Sequence, residues 1–191
     1  MRAAIVDEFG PLEAIRIGEM PAPQLKPGHV LIAVKAAGVG FVDALGAAGK
    51  YQVKQALPFV PGGEYAGIVE SVGEGVTGIA PGDRVMAGGF AGAYAEYALA
   101  PAGAVLAMPA SMSFVEAAGF RTNYATALHA LADRAAIAPG ETLLVLGAGG
   151  GTGIAAIQIG KLLGARVIAA ASSAEKRAAA LAAGADEAID Y

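Results

Sequence analysis

The sequence predicts a mixed α and β chain, with a small barrel or sandwich of short strands first and a βαβαβ alternation after it. Three observations carry this. Residues 1 to 112 alternate short apolar runs with Gly- and Pro-rich turns, the signature of many short strands. From Ser113 the apolar spacing becomes helical. After Pro139-Gly140 the chain alternates apolar strand, glycine cluster, helix, strand, helix and the start of a third strand.

Composition sets the bounds. With 191 residues, 55% hydrophobic and 16% charged, the chain can bury a core and is not intrinsically disordered. Its 28 glycines and 10 prolines imply many turns, and without a G-X-Y period they are not collagenous. A net charge of −4 and a pI near 5.2 argue against nucleic-acid and anionic-membrane partners. The absence of cysteine excludes disulfides, Cys nucleophiles and thiolate-bound zinc. Asp7 and Glu8 fall where a signal peptide needs an apolar core. Mean hydropathy is +0.55, much of it carried by alanine and glycine, and no apolar run reaches the ~20 residues needed to cross a bilayer. The expectation is a cytoplasmic protein.

In chain order, Val30 to Val34 reads as a largely buried strand, and Tyr65 to Val72 as a second. Gly73-Glu74-Gly75 bends the chain after it. Pro81-Gly82-Asp83 has the form of a type II turn leading into Arg84-Val85-Met86. Tyr94 to Leu99 and Ala104 to Met108 are further strands. Ser113 and Glu116 have capping-box spacing and open a helical stretch toward Arg134. Thr142 to Leu146 is an apolar strand of the fully buried kind. Ile154 to Leu163 is a helix apolar on almost every side, stopped by Gly164. Arg166 to Ala171 is a strand. Ser172 to Ala183 is a helix opened by a Ser172–Glu175 capping pair and closed by Gly184, and Ala188 to Tyr191 begins the next strand.

The run Gly147-Ala148-Gly149-Gly150-Gly151-Thr152-Gly153 joins a strand to a helix. Glycines there serve a tight turn, close approach to a pyrophosphate, and close helix–strand packing, while the helix N-terminus offers free N–H groups and partial positive charge. The literal G-x-G-x-x-G does not fit. The best frame is Ala148-x-Gly150-x-x-Gly153, so Ala148, Gly150, Gly151, Thr152 and Gly153 are the candidate pyrophosphate cradle. An NAD site usually places an acid ~20 residues on, at the end of the second strand. Here that segment reads Ala169-Ala170-Ala171-Ser172-Ser173, followed by Lys176. Hydroxyl donors, a helix N-terminus and a cation suit a 2′-phosphate, so the expected cofactor is NADPH. Ser172 could equally serve as a simple cap.

These residues resemble the medium-chain dehydrogenase/reductase superfamily, and within it the zeta-crystallin-like quinone oxidoreductases. The resemblance covers the whole chain. It rests on Ala37-Gly38-Val39-Gly40-Phe41-Val42-Asp43, Gly49-Lys50-Tyr51, Pro61-Gly62-Gly63-Glu64-Tyr65-Ala66-Gly67, Gly82-Asp83-Arg84-Val85, Tyr124-Ala125-Thr126-Ala127 and the glycine turn. It implies a GroES-like barrel domain over residues 1–124, a partial Rossmann NADP-binding domain over 125–191, and catalysis in a cleft between them. Tyr51 would line that cleft as a hydrogen-bond donor or a stacking wall, though it could simply pack under a loop. Thr122 and Thr126 match positions near the nicotinamide. Lys176 and Tyr191 match positions that contact the 2′-phosphate, and Ser172 and Ser173 stand beside them.

The catalytic-zinc positions of zinc-dependent relatives match Gly40, Gly63 and Ala118, none of which can ligate metal. His29 and His129 are the only histidines. The expected reaction therefore needs no Lewis acid: hydride transfer from NADPH to a small-molecule quinone or conjugated enone. Gly40 and Leu45 replace polar residues of relatives, which removes polar groups from the substrate side. Two alternatives stand beside this reading, an enoyl-thioester reductase and a nucleotide-binding protein without turnover. The resemblance also implies a homo-oligomer in full-length form, and that this chain is an incomplete member whose first parallel strand is left as an exposed edge.

Overall fold

Small and β-branched residues at alternate positions set the first half into strands. The computed structural model describes residues 1–191, and the chain divides into two compact units, Met1–Arg121 and Thr122–Tyr191.

In the first unit, β1 (Arg2–Ile5) and β2 (Arg16–Glu19) form an antiparallel hairpin. β3 (His29–Ala37), β4 (Glu64–Val72), β5 (Arg84–Gly88), β6 (Tyr97–Pro101) and β7 (Val105–Ala107) form a five-stranded antiparallel sheet in the order β6-β3-β4-β5-β7. Two register shifts in the β3–β4 ladder, at Leu31/Ile32 and Val34/Ala36, curl the sheet into a half-barrel. Val30 and Ile32 of β3 are fully buried with Val69, Val85 and Ala98 in its core. Each side chain of the Val or Ile type so buried stabilises the fold by about 1.5–3 kcal/mol.

The first half is not all strand and turn. α1 (Phe41–Ala47) interrupts it, opened by Asp43, whose carboxylate accepts the Gly40 N–H at 2.8 Å. The turn at Pro81-Gly82 forms as expected, with Gly82 at φ +92° and the Asp83 N–H donating to Ala80 O at 3.1 Å.

The stretch after Ser113 is helical in three pieces. α2 (Phe114–Ala118) is opened by the Ser113–Glu116 capping box. Its Ala117 and Ala118 pack on Ala66 and Met86 of the sheet. α3 (Arg121–Leu128) follows, then a π-helical segment at His129–Arg134.

In the second unit, β8 (Thr142–Leu146), β9 (Arg166–Ala170) and β10 (Glu187–Ile189) form a parallel sheet in the order β10-β9-β8. α4 (Gly151–Leu162) and α5 (Ala174–Ala182) are the crossovers. Gly160 lets α4 lie close to the sheet, since a Cβ there would stand 2.6 Å from Leu143 Cδ2. Val145, Ile157, Val167 and Ala180 make the core. Lys161 holds both Asp186 carboxylate oxygens at 2.8 Å and the Val167 N–H donates to one of them at 2.7 Å, which keeps that carboxyl below its usual range.

β8 is not of the fully buried kind its apolar run suggests, but the exposed edge expected from the resemblance. It is the sheet edge, and Leu144 and Leu146 are 52% and 69% exposed. The apolar run is real, but no element of this chain covers that side of it.

Candidate functional site

The glycine turn has an identifiable job at each position but one. Gly147 takes the left-handed conformation, φ +63°, at the end of β8. Ala148 is fully buried and its N–H donates to Ala170 O at 3.1 Å. The turn-making position is thus Gly147, one residue before the Ala148 of the sequence frame. Ala148 serves instead as a small apolar member of the core cluster that holds Val145 and Ile157.

A Cβ on Gly153 would stand 2.6 Å from Gly147 O and 2.8 Å from Ala148 Cα, so this glycine allows the helix start to approach the strand end. A Cβ on Gly151 would meet Asn123 Nδ2 at 2.9 Å. A Cβ on Gly149 would meet Lys176 Cβ and Cγ at 2.6 Å. Gly150, the N-cap of α4, has an ordinary φ of −87°, and its Cβ would meet only Gly147 O, at 3.5 Å. Neither backbone conformation nor packing within the chain requires glycine there.

α4 carries no side-chain cap. Its first-turn N–H groups lack intrahelical acceptors, as at any helix start, and present a local positive field. Thr152 is exposed, and its hydroxyl donates to Asn123 Oδ1 at 2.9 Å. Asn123 is not among the sequence candidates. It stands one residue after Thr122, and only the fold brings it to Thr152.

At the end of β9 the expected Ser172–Glu175 capping pair does not form. The Ala171 N–H donates to Ile189 O of β10 at 3.1 Å, and Ser173 is still extended at φ −128°, ψ 150°, so the helix starts one residue later. Ser173 is the N-cap, and its hydroxyl oxygen accepts the Lys176 N–H at 3.3 Å. Ser172 is left exposed and without the capping role. Lys176 is exposed, and its aliphatic stem lies across Gly149, which joins the start of α5 to the glycine turn. Tyr191 is 67% exposed, with its N–H on Asp190 Oδ1 at 3.0 Å. Thr122 and Thr126 are exposed on α3 and four residues apart, on one face of the helix. The Tyr124 hydroxyl donates to Gln158 Oε1 of α4.

In the first unit Tyr51 is half-buried just after α1, its N–H on Leu45 O at 3.2 Å. Gly40, Gly63 and Ala118 lie in one neighbourhood. Asp43 Oδ2 accepts the Gly40 N–H and the Tyr94 hydroxyl, each at 2.8 Å, and Asp43 Oδ1 is 3.6 Å from where a Gly63 Cβ would be. A Cβ on Gly38 would strike Ala118 O. Burial, and then the bond to Asp43, push the Tyr94 hydroxyl well above its usual range, so it remains a donor. A groove of about 400 Å³ in this unit, lined by Arg2, Ile17, Val34, Tyr94 and Glu96 among others, contains none of the predicted site residues. Nowhere do three or more His, Asp or Glu side chains gather as metal ligands. His29 pairs with Pro27 O and His129 with Asp133.

Comparison with known proteins agrees with this layout. Residues 26–110 match the alcohol dehydrogenase GroES-like domain, and residues 151–191 match the zinc-binding dehydrogenase domain. A zinc ion, which the second description implies, finds no fitting ligand set in this chain. The quinone oxidoreductases of Rattus norvegicus and Homo sapiens are 40% and 37% identical to the chain over its full length, and the chain spans 59% of theirs. A probable oxidoreductase from Mycobacterium abscessus superposes with a TM-score of 0.93 at 42% identity, covering 100% of this chain and 61% of that one. The quinone oxidoreductase of Thermus thermophilus, solved also with NADPH, gives 0.88 at 38% identity, covering 100% and 60%. With both domain types in order and this chain matched over its full length by relatives of which it spans 59%, the chain belongs to the medium-chain dehydrogenase/reductase superfamily.

Proposed function

We propose that the protein is an NADPH-dependent oxidoreductase that reduces a quinone or another conjugated enone without a metal ion. Gly150 carries the reading. It is a glycine at a helix N-cap that the chain's own packing does not require, beside a cation, Lys176, whose stem lies over the same turn. A pyrophosphate approaching the backbone gives that glycine a reason.

In this reading the N–H groups of Gly151, Thr152 and Gly153 bind the pyrophosphate, and buried Ala148 backs the turn. Ser172, Ser173, Lys176 and Tyr191 hold the 2′-phosphate. Thr122 and Thr126 stand beside the nicotinamide. NADPH, when bound, supplies the hydride. Tyr51 meets the acceptor, as a hydrogen-bond donor to the oxygen on which negative charge develops or as a stacking wall. No metal assists, since Gly40, Gly63 and Ala118 offer no ligand and a delocalised acceptor needs none. Named relatives that are quinone oxidoreductases, and related structures solved with NADPH, support the assignment.

The protein is further proposed to be cytoplasmic and homo-oligomeric in full-length form. No helix is long and apolar enough to cross a membrane. An enoyl-thioester reductase is the weaker alternative, and faster turnover of crotonyl-CoA than of any quinone would reverse the order. Binding of NADPH with no oxidation across an acceptor panel would instead favour a nucleotide-binding protein.

The experiment is Lys176→Ala with fluorescence titration of both cofactors. Loss of a charge-assisted contact is worth about 1.5–3 kcal/mol, or roughly 10- to 100-fold in Kd for NADPH, with NADH nearly unchanged. Equal loss for both cofactors would remove Lys176 from the phosphate site.

A further inference from the structure

Arg177 stands next to Lys176 in α5, but its side chain is 24% exposed and turned to a different task. Its Nη1 donates to Ala171 O at 2.8 Å and pairs with Asp190 Oδ1 at 2.7 Å. Asp190 Oδ1 in turn accepts the Tyr191 N–H at 3.0 Å. One guanidinium nitrogen therefore ties the residue before Ser172 to the residue before Tyr191. These are the two ends of the proposed 2′-phosphate site, one after β9 and the other after β10.

We propose that Arg177, through Asp190, is a positioning residue that holds the Ser172–Ser173 turn and Tyr191 in register and thereby sets the preference for a 2′-phosphorylated cofactor. The proposal rests on the NADPH reading above. Arg177 need not touch the phosphate. Nη1 donates to Ala171 O and forms an ion pair with Asp190, and a planar guanidinium keeps those two partners in a fixed relation where an ammonium would not.

Positioning and simple electrostatic attraction predict opposite signs for one substitution. Asp190→Ala removes a carboxylate from the neighbourhood of a phosphate. If charge alone mattered, NADPH would bind more tightly. If the brace matters, NADPH binds more weakly, because Tyr191 and the Ala171 turn lose their common anchor.

The experiment measures Kd for NADPH and NADH by nicotinamide fluorescence in the wild type, Asp190→Ala, Arg177→Met and the double variant, with Tm of the cofactor-free proteins alongside. The expected result is a roughly 5- to 10-fold weaker NADPH Kd in each single variant and NADH within about twofold, by analogy with the energies of charged hydrogen bonds. The double variant should be no worse than the weaker single, since both act through one contact. Tighter NADPH binding by Asp190→Ala overturns the proposal, as does an unchanged NADPH:NADH ratio in both single variants. Should Arg177→Met fail to fold, Asp190→Ala, at an exposed carboxylate, decides alone. A wild-type protein with no preference between the cofactors would overturn the NADPH reading itself and this proposal with it. A wild-type preference that survives both substitutions overturns only the role of Arg177.

Discussion

Gly150 and Gly153 lie in the same turn and are glycine for different reasons. At Gly153 a Cβ would push against the backbone of Gly147 and Ala148, which cannot move without parting β8 from α4. Gly153→Ala should therefore cost about 1–3 kcal/mol of stability as an overpacking change, read as a lower denaturant midpoint. At Gly150 there is room and an ordinary φ. Gly150→Ala should lower the midpoint only slightly, through the poorer N-cap, yet weaken NADPH at least tenfold, because the methyl group occupies the approach of the pyrophosphate. Wild-type NADPH affinity in Gly150→Ala would show that nothing approaches the turn there. Asp43 is a second residue whose role is local. It caps α1 and anchors the Tyr94 hydroxyl with one oxygen.

At the scale of elements, caps decide where helices begin. Ser113 and Glu116 cap α2 reciprocally, and the Ser113 N–H and then its hydroxyl hold the Glu116 carboxyl below its ordinary value of 4.5. A carboxyl depressed in the folded state stabilises the fold above its unfolded pKa and loses that contribution as pH falls through the folded value. The Tm difference between wild type and Glu116→Gln should be full at neutral pH and shrink as pH is lowered below about 4.5. A difference that does not vary with pH would contradict this.

This cap was legible in the sequence because its partners are three residues apart. So were β8, β9 and the glycine turn, whose apolar runs and breakers are local. α1 was not, since a short helix rich in glycine and alanine has little periodicity to read. α5 starts one residue later than its capping pattern predicts, with Ser172 and Ser173 both eligible. The structure selects Ser173, which is extended and accepts the Lys176 N–H, and the spacing of the two serines does not distinguish them. Asn123 and Arg177 escape a sequence reading because their partners Thr152 and Asp190 are distant in the chain.

At the scale of the molecule, β8 is an exposed apolar edge. An apolar edge strand with open N–H and C=O groups is a template for pairing with another chain. Leu144 and Leu146 of β8 are 52% and 69% exposed. Leu146→Lys should lower the self-association of this chain in light scattering across a concentration series without lowering Tm, because an edge lysine blunts pairing while the side chain is already largely in water. Scattering unchanged by the substitution would place self-association elsewhere.

The proposed chemistry depends most on a dinucleotide lying against the start of α4. Amide chemical shifts of a ¹⁵N-labelled sample, followed during an NADPH titration, test this residue by residue. Saturable shifts are expected at Gly150, Gly151, Thr152 and Gly153 and at Ser172 and Ser173, with NADH moving the first group and largely sparing the second. A titration in which those amides stay fixed, whether or not NADPH perturbs signals elsewhere, would contradict it.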